Sequence, residues 1–118
     1  MTLLETLLIV AISLEHLYFM IVEMFLWTRP KGIHMFGLKS KEFAEDTKVL
    51  AANQGLYNGF LAAGLIYALI SSDEQVAIFF LACIIIAGAY GAYSTRKLQL
   101  LYVQSVPAII TLLVSVFF

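Results

Sequence analysis

Four apolar stretches use up nearly the whole of this 118-residue chain: Thr2–Trp27, Val49–Ile70, Val76–Tyr93 and Leu98–Phe118. Each is about the length of one helical crossing of a bilayer, which takes about 20 residues. With 62% hydrophobic and 13% charged residues, little is left over for a soluble domain. The expected fold is all-α: a single four-transmembrane-helix bundle with helices over about 2–27, 47–70, 76–94 and 98–118. The start, MTLLETLL, has no positive n-region and no small-residue cleavage site follows it, so the first helix is expected to be retained. The lone Cys83 cannot form an intrachain disulfide.

Charge distribution sets the expected orientation. The basic residues are Arg29, Lys31, Lys39, Lys41 and Lys48 around the first connection, and Arg96 and Lys97 in the third. The second connection, Ser71–Gln75, has none. Basic residues mark the cytoplasmic side. Both termini are therefore expected outside and both basic loops inside, in a multi-pass protein of the cell membrane. The same complete partition argues against dual topology.

Trp27 is placed at the interface, and Pro30 stops the first helix. Gly32 and Gly37 are expected to keep the following stretch irregular, with its apolar side chains resting on the headgroup layer. Ser40 reads as an N-cap, with Glu42, Glu45 and Asp46 near the positive end of a helix that can run into the second crossing. Ala51, Gly55, Gly59 and Ala63, four apart, and Ala87, Gly88, Gly91 and Ala92 let helix backbones approach in lipid. Pro107 predicts a kink whose freed backbone groups need partners.

The chemistry-bearing residues gather in the cytoplasmic half. The first span holds Glu5, Glu15, His16 and Glu23 and no Lys or Arg. At about 100° per residue, Glu5, His16 and Glu23 fall within about 20° of one another, and Glu15 points about 100° from His16. Counted from the inner interface, Glu23 lies roughly 6 Å deep and His16 roughly 16 Å; Asn53 and Gln54 lie roughly 8–9 Å deep and Asn58 roughly 15 Å. Tyr90, Tyr93, Tyr102 and Gln104 sit roughly 5–10 Å deep. The outer half is almost purely apolar except for Glu5, expected to be solvated at the outer edge. A transporter usually holds substrate near the midplane with access to both sides. This asymmetry fits better a cytoplasm-facing pocket for a small amphipathic or lipidic molecule, with the bilayer as the other partner.

In that reading His16, Glu23 and Glu15 are the acid–base and charge-setting groups, and Asn53, Gln54, Asn58, Gln104 and Tyr90 orient the ligand. Whether turnover follows binding stays open. Each residue has a structural reading too. His16 can hydrogen-bond Asn58 or Glu23, and Glu23 can snorkel. The amides can serve as interhelical glue and Tyr90 as an interface anchor. Glu15 at mid-depth must be neutral, paired or solvated. The alternative function is a proton-coupled small-molecule transporter using Glu15 or Glu23. Histidine with carboxylates can bind zinc or iron, but no HExxH or paired-histidine motif occurs, so no metal is assigned and no cofactor is identified. No nucleic-acid, phosphate-loop or nucleophile-elbow motif occurs. A parallel homo-oligomer is expected to help cover the intramembrane acids.

The runs His16-x-Tyr18-Phe19-Met20-x-x-Glu23-Met24-Phe25-Leu26-Trp27 and Phe43–Phe60, FAEDTKVLAANQGLYNGF, with Gln104-x-x-Pro107-Ala108, carry a resemblance. The chain resembles, over nearly its whole length, a bacterial family of small four-helix membrane proteins filed under a domain of unknown function. The resemblance implies the four-crossing fold and transfers no activity. More distantly, the chain is similar to the membrane-associated eicosanoid and glutathione metabolism proteins. Those are small four-crossing chains with a cytoplasmic loop after the first helix, a polar second helix containing Asn, and cytoplasm-facing sites in a trimer. They have an Arg-rich start to the second helix where this chain has only Lys48, so glutathione binding does not carry over.

The orientation is checked with Ser40→Cys and Ser72→Cys, each in a background lacking Cys83. In intact cells an impermeant maleimide should label position 72 and not position 40. Labelling of position 40 from outside would reverse the topology and the direction of the pocket.

Overall fold

A computed structural model describes all residues, Met1–Phe118, and every element is helical. In chain order they are α1 (Leu3–Phe25), α2 (Pro30–Met35), α3 (Lys41–Ser71), α4 (Glu74–Thr95), α5 (Leu98–Leu100), a π turn (Leu101–Ser105) and α6 (Val106–Phe117). Three helical segments are long and apolar enough to cross a membrane: Leu3–Phe25, Glu74–Thr95 and Leu98–Phe117. The longest helix, α3, is not one of them. Its first turns carry Lys41, Glu42, Glu45, Asp46 and Lys48, and Asn53, Gln54 and Asn58 follow. The chain divides into two compact units, one of Met1–Ser13 with Ala63–Phe118, the other of Leu14–Ala62.

The Leu14–Ala62 unit is organised around the turn that follows α1. Gly32 does not keep this stretch irregular, as the sequence had suggested; it lies inside α2, which opens with Pro30 in its first turn. Proline suits that position because its missing N–H has no intrahelical partner to lose. Glycine is required at 32 because a Cβ there would lie 2.8 Å from both Cα and O of Trp27. Gly37 ends α2 with φ 60°, where Gly37 N–H donates to His34 O and Leu38 N–H to Ile33 O, the pairing of a Schellman stop. Phe36 turns inward, its ring 5.1 Å from that of Trp27 and 6.5 Å from that of Phe19. Trp27 Nε1 donates to Thr47 Oγ1 at 3.0 Å, tying the end of α1 to α3. Ser40 caps α3 by accepting from Phe43 N–H at 3.0 Å, so the helix begins at Lys41 and runs unbroken to Ser71.

The other unit is built on a tight turn between α3 and α4. Ser72 takes a left-handed conformation (φ 52°), and Asp73 caps α4 by accepting from Gln75 N–H and Val76 N–H. Ala77, Leu81, Ile84, Gly88 and Ala92 line the buried face of α4, with Ile9, Ile12, Leu65, Ala68 and Ala108 also in the core of this unit. Pro107 makes its mark one turn early. Ahead of it Val106 N–H reaches back five residues to Leu101 O, the i→i+5 pattern of a π turn. That turn brings Ser105, fully buried, against α4, where its hydroxyl donates to Ile85 O at 2.9 Å. The approach needs a bare backbone opposite: a Cβ on Gly88 would strike Ser105 Oγ and come 3.0 Å from Gln104 Cβ.

Glu5 departs from its expected place. It is 2% exposed, while Leu3, Leu4 and Leu7 on other faces of α1 are 75%, 55% and 57% exposed. The helical period that puts Glu5 in line with Ile9 and Ile12 turns it inward, and its Oε1 has no hydrogen-bond partner.

Gly88→Ala should destabilise this unit by about 1–3 kcal/mol, the usual cost of overpacking. Gly91→Ala should be tolerated, because its Cβ would meet Leu100 Cδ1 at an ordinary 3.5 Å and gain helix propensity. Thermal unfolding of the two variants in a fixed detergent checks the contrast; equal midpoints would remove the close-approach argument.

Candidate functional site: a buried carboxylate held by two amides

Along α1 the buried side chains recur at three and four residues: Glu5, Ile9, Ile12, His16, Phe19 and Glu23. This is one face of a helix, and it carries every acidic and histidine side chain of α1 except Glu15. On α3 the matching face within the same unit is Ala51, Gly55, Asn58 and Ala62. Where these faces meet, Gln54 Nε2 donates to Glu23 Oε2, and Asn58 Nδ2 donates to Glu23 Oε1. The carboxylate is 1% exposed and both its oxygens are occupied.

Glycine sets the closeness of this meeting. A Cβ on Gly55 would lie 2.7 Å from Met24 Cγ and 3.0 Å from Glu23 Cβ; one on Gly59 would lie 2.7 Å from Met20 Sδ. Short amide side chains reach Glu23 only because the helices lie this near. The small-residue series on α3 thus has a chemical consequence that a purely packing interpretation misses. Its sequence signal was the four-residue spacing of Gly55 and Gly59 flanking Asn58.

His16 is fully buried two turns from Glu23, with its ring edge-on to Phe19 at a centroid distance of 5.4 Å. Its Nδ1 lies 3.7 Å from Glu15 Oε1, whose side chain is 27% exposed. Two carboxylates one or two turns apart are therefore in different states. Glu23 is enclosed and both its oxygens accept from amides; Glu15 is partly exposed beside the imidazole. Among the amides, Asn58 is buried and Gln54 is exposed.

The remaining expected site residues lie elsewhere. Asn53 is exposed on α3, outside the Glu23 cluster. Gln104 and Tyr90 belong to the other unit. There Gln104 packs by Gly88, and Tyr90, 68% exposed, pairs with Tyr93 at 6.4 Å. Surface concavities lie at Ala92–Arg96 and around Lys39–Asp46, and neither is lined by His16 or Glu23. No three His, Cys, Asp or Glu side chains gather. The cluster is a hydrogen-bonding site built from one carboxylate and its amides.

Comparison with known proteins fits this picture of a small helical chain. The family model described as "Protein of unknown function (DUF1304)" matches residues 10–116, a range that includes His16, Glu23, Gln54 and Asn58 but not Glu5. The "Uncharacterized protein YpaA" of Lactococcus lactis subsp. lactis (strain IL1403) is 32% identical over 120 residues, covering 99% of this chain and 100% of that protein. No solved structure matches.

A double-mutant cycle with Glu23→Ala and Asn58→Ala should give a coupling of about 0.6 kcal/mol and no more than about 1.7, the range for side-chain hydrogen bonds between membrane helices. Additive effects on thermal stability would mean that the two side chains do not meet in the protein.

Proposed function

The chain belongs to the DUF1304 family, and we propose that it is a protein of the cell membrane in which the apolar C-terminal part of α3 crosses alongside the three more apolar segments, giving four crossings with both termini outside, and that it binds or processes the polar end of a small amphipathic or lipidic molecule at the Glu23 cluster. The observation that carries this reading is the contrast within the clamp. Glu23 is enclosed, yet the amide on its Oε2 belongs to the exposed Gln54. A buried carboxylate is thus one side-chain movement from the surface. Ionisable groups at membrane depth are functional sites by default, because their cost must be offset by use. In this reading Glu23 sets the charge, Asn58 holds it in orientation, and His16 is the neighbouring hydrogen-bonding or acid–base group. Glu15, the carboxylate left at the edge, is the group that a second subunit of a parallel homo-oligomer would cover.

The test uses His16→Ala and Glu23→Gln in lipid nanodiscs. Both variants should keep their helical content, because one hydrogen bond between membrane helices contributes only about 0.6 kcal/mol. Both should lose small amphipathic molecules that native mass spectrometry finds bound to the unaltered protein. If the cluster only holds helices together, the variants melt earlier and retain whatever the protein binds. Flux into liposomes driven by a pH gradient, and abolished by Glu15→Gln or Glu23→Gln, would instead establish the transporter.

A further inference from the structure

We infer that the group received at Glu23 is a hydrogen-bond-donating, non-anionic head, a hydroxyl or an ammonium on a single apolar chain, and that it enters by displacing the Gln54 amide. The inference rests on the site reading above and adds the ligand's chemistry and its point of entry.

An ionised carboxylate only accepts hydrogen bonds. Both donors to Glu23 are neutral amides, and no Lys or Arg forms an ion pair with it. No Lys or Arg occurs in α1, and none in α3 beyond Lys48. A phosphate or carboxylate head at this point would set acceptor against acceptor and find no lysine or arginine to balance its own charge. A hydroxyl or ammonium would supply what the amide supplies now, a donor to Oε2.

The two amides are not equally replaceable. Asn58 is 8% exposed and short, fixed between the helices. Gln54 is exposed and has one more methylene, so it can rotate away and keep its amide solvated. Oε2 is the oxygen it would uncover. One turn to either side of Gln54 on α3, Leu50 and Tyr57 are 73% and 56% exposed. They give an alkyl chain an apolar strip on both sides of the polar point. Gln54 is thus a stand-in donor that occupies Oε2 until a ligand head takes it.

Three probes sharing one C18 chain separate the head groups: monooleoylglycerol, oleylamine and oleate, titrated by native mass spectrometry into the full chain in phosphatidylcholine nanodiscs. The first two should bind at least about tenfold more tightly than oleate, the scale of a hydrogen bond to a charged group. Gln54→Ala should tighten monooleoylglycerol by about threefold, because a competing hydrogen bond is removed. Glu23→Gln should weaken oleylamine more than monooleoylglycerol. Oleate binding as well as the others to the unaltered protein, or Gln54→Ala weakening the glycerol probe, would overturn the inference. The head-group ranking needs no variant and so survives a folding defect. If oleate alone binds and Glu23→Gln abolishes it, the site reading stands and this inference fails. If none of the three binds, both fail.

Discussion

Glu23 can be buried because α3 comes close enough to supply both of its hydrogen-bond partners, and that closeness is set by the missing side chains at Gly55 and Gly59. A carboxylate removed from water costs several kcal/mol unless its lone pairs are taken up. Two short amides from the facing helix do this only at near-contact distance. The same approach brings Met20 and Met24 against the glycine faces, where flexible thioether chains fill an uneven gap. Packing and polar satisfaction are therefore a single arrangement in this unit. A larger residue at 55 would strike Met24 Cγ and Glu23 Cβ together, disturbing an apolar contact and the carboxylate's approach to its donors in one step.

Much of this arrangement is legible in the sequence, but unevenly. The alignment of Glu5, His16 and Glu23 on one face follows from helical period alone, and burial of 2%, 0% and 1% shows the same line. The cap at Ser40 is a local hydrogen bond and reads off local residues. The partners of Glu23 are separated from it by 31 and 35 residues. Depth alone made Asn58 a neighbour of His16; the register that hands it to Glu23 is a property of two packed helices. Pro30 does lie past the end of α1, yet it also opens α2, and Gly32, a residue that usually interrupts helices, lies within α2. A place near the chain end suggests water for Glu5, whereas its helical face governs the outcome.

The acids of α1 show how environment separates chemically similar groups. Glu5 is enclosed with one oxygen unpartnered, Glu23 is enclosed with both oxygens taken, and Glu15 is partly open beside an imidazole. Only the second combines enclosure with a replaceable partner. That combination, rather than the count of ionisable residues in the span, singles out Glu23. On the proposed reading no well-formed cavity is needed at rest, because the Gln54 amide already occupies Glu23 Oε2.

The π turn at Leu101–Ser105 has a consequence for how the last helix is to be compared among relatives. An i→i+5 ring holds one residue more than an α turn, so side chains after it are out of phase with those before it. The offset works like a vernier. Positions from Val106 onward cannot be numbered by counting helical turns from Leu98. In a relative lacking one residue within this stretch, the phase of the final helix would shift by about 100°. Ala108 and Thr111, both fully buried here, would then leave the interior together. A single-residue gap at this point is thus a change of helix face, and substitutions downstream of it are best compared by orientation rather than by column.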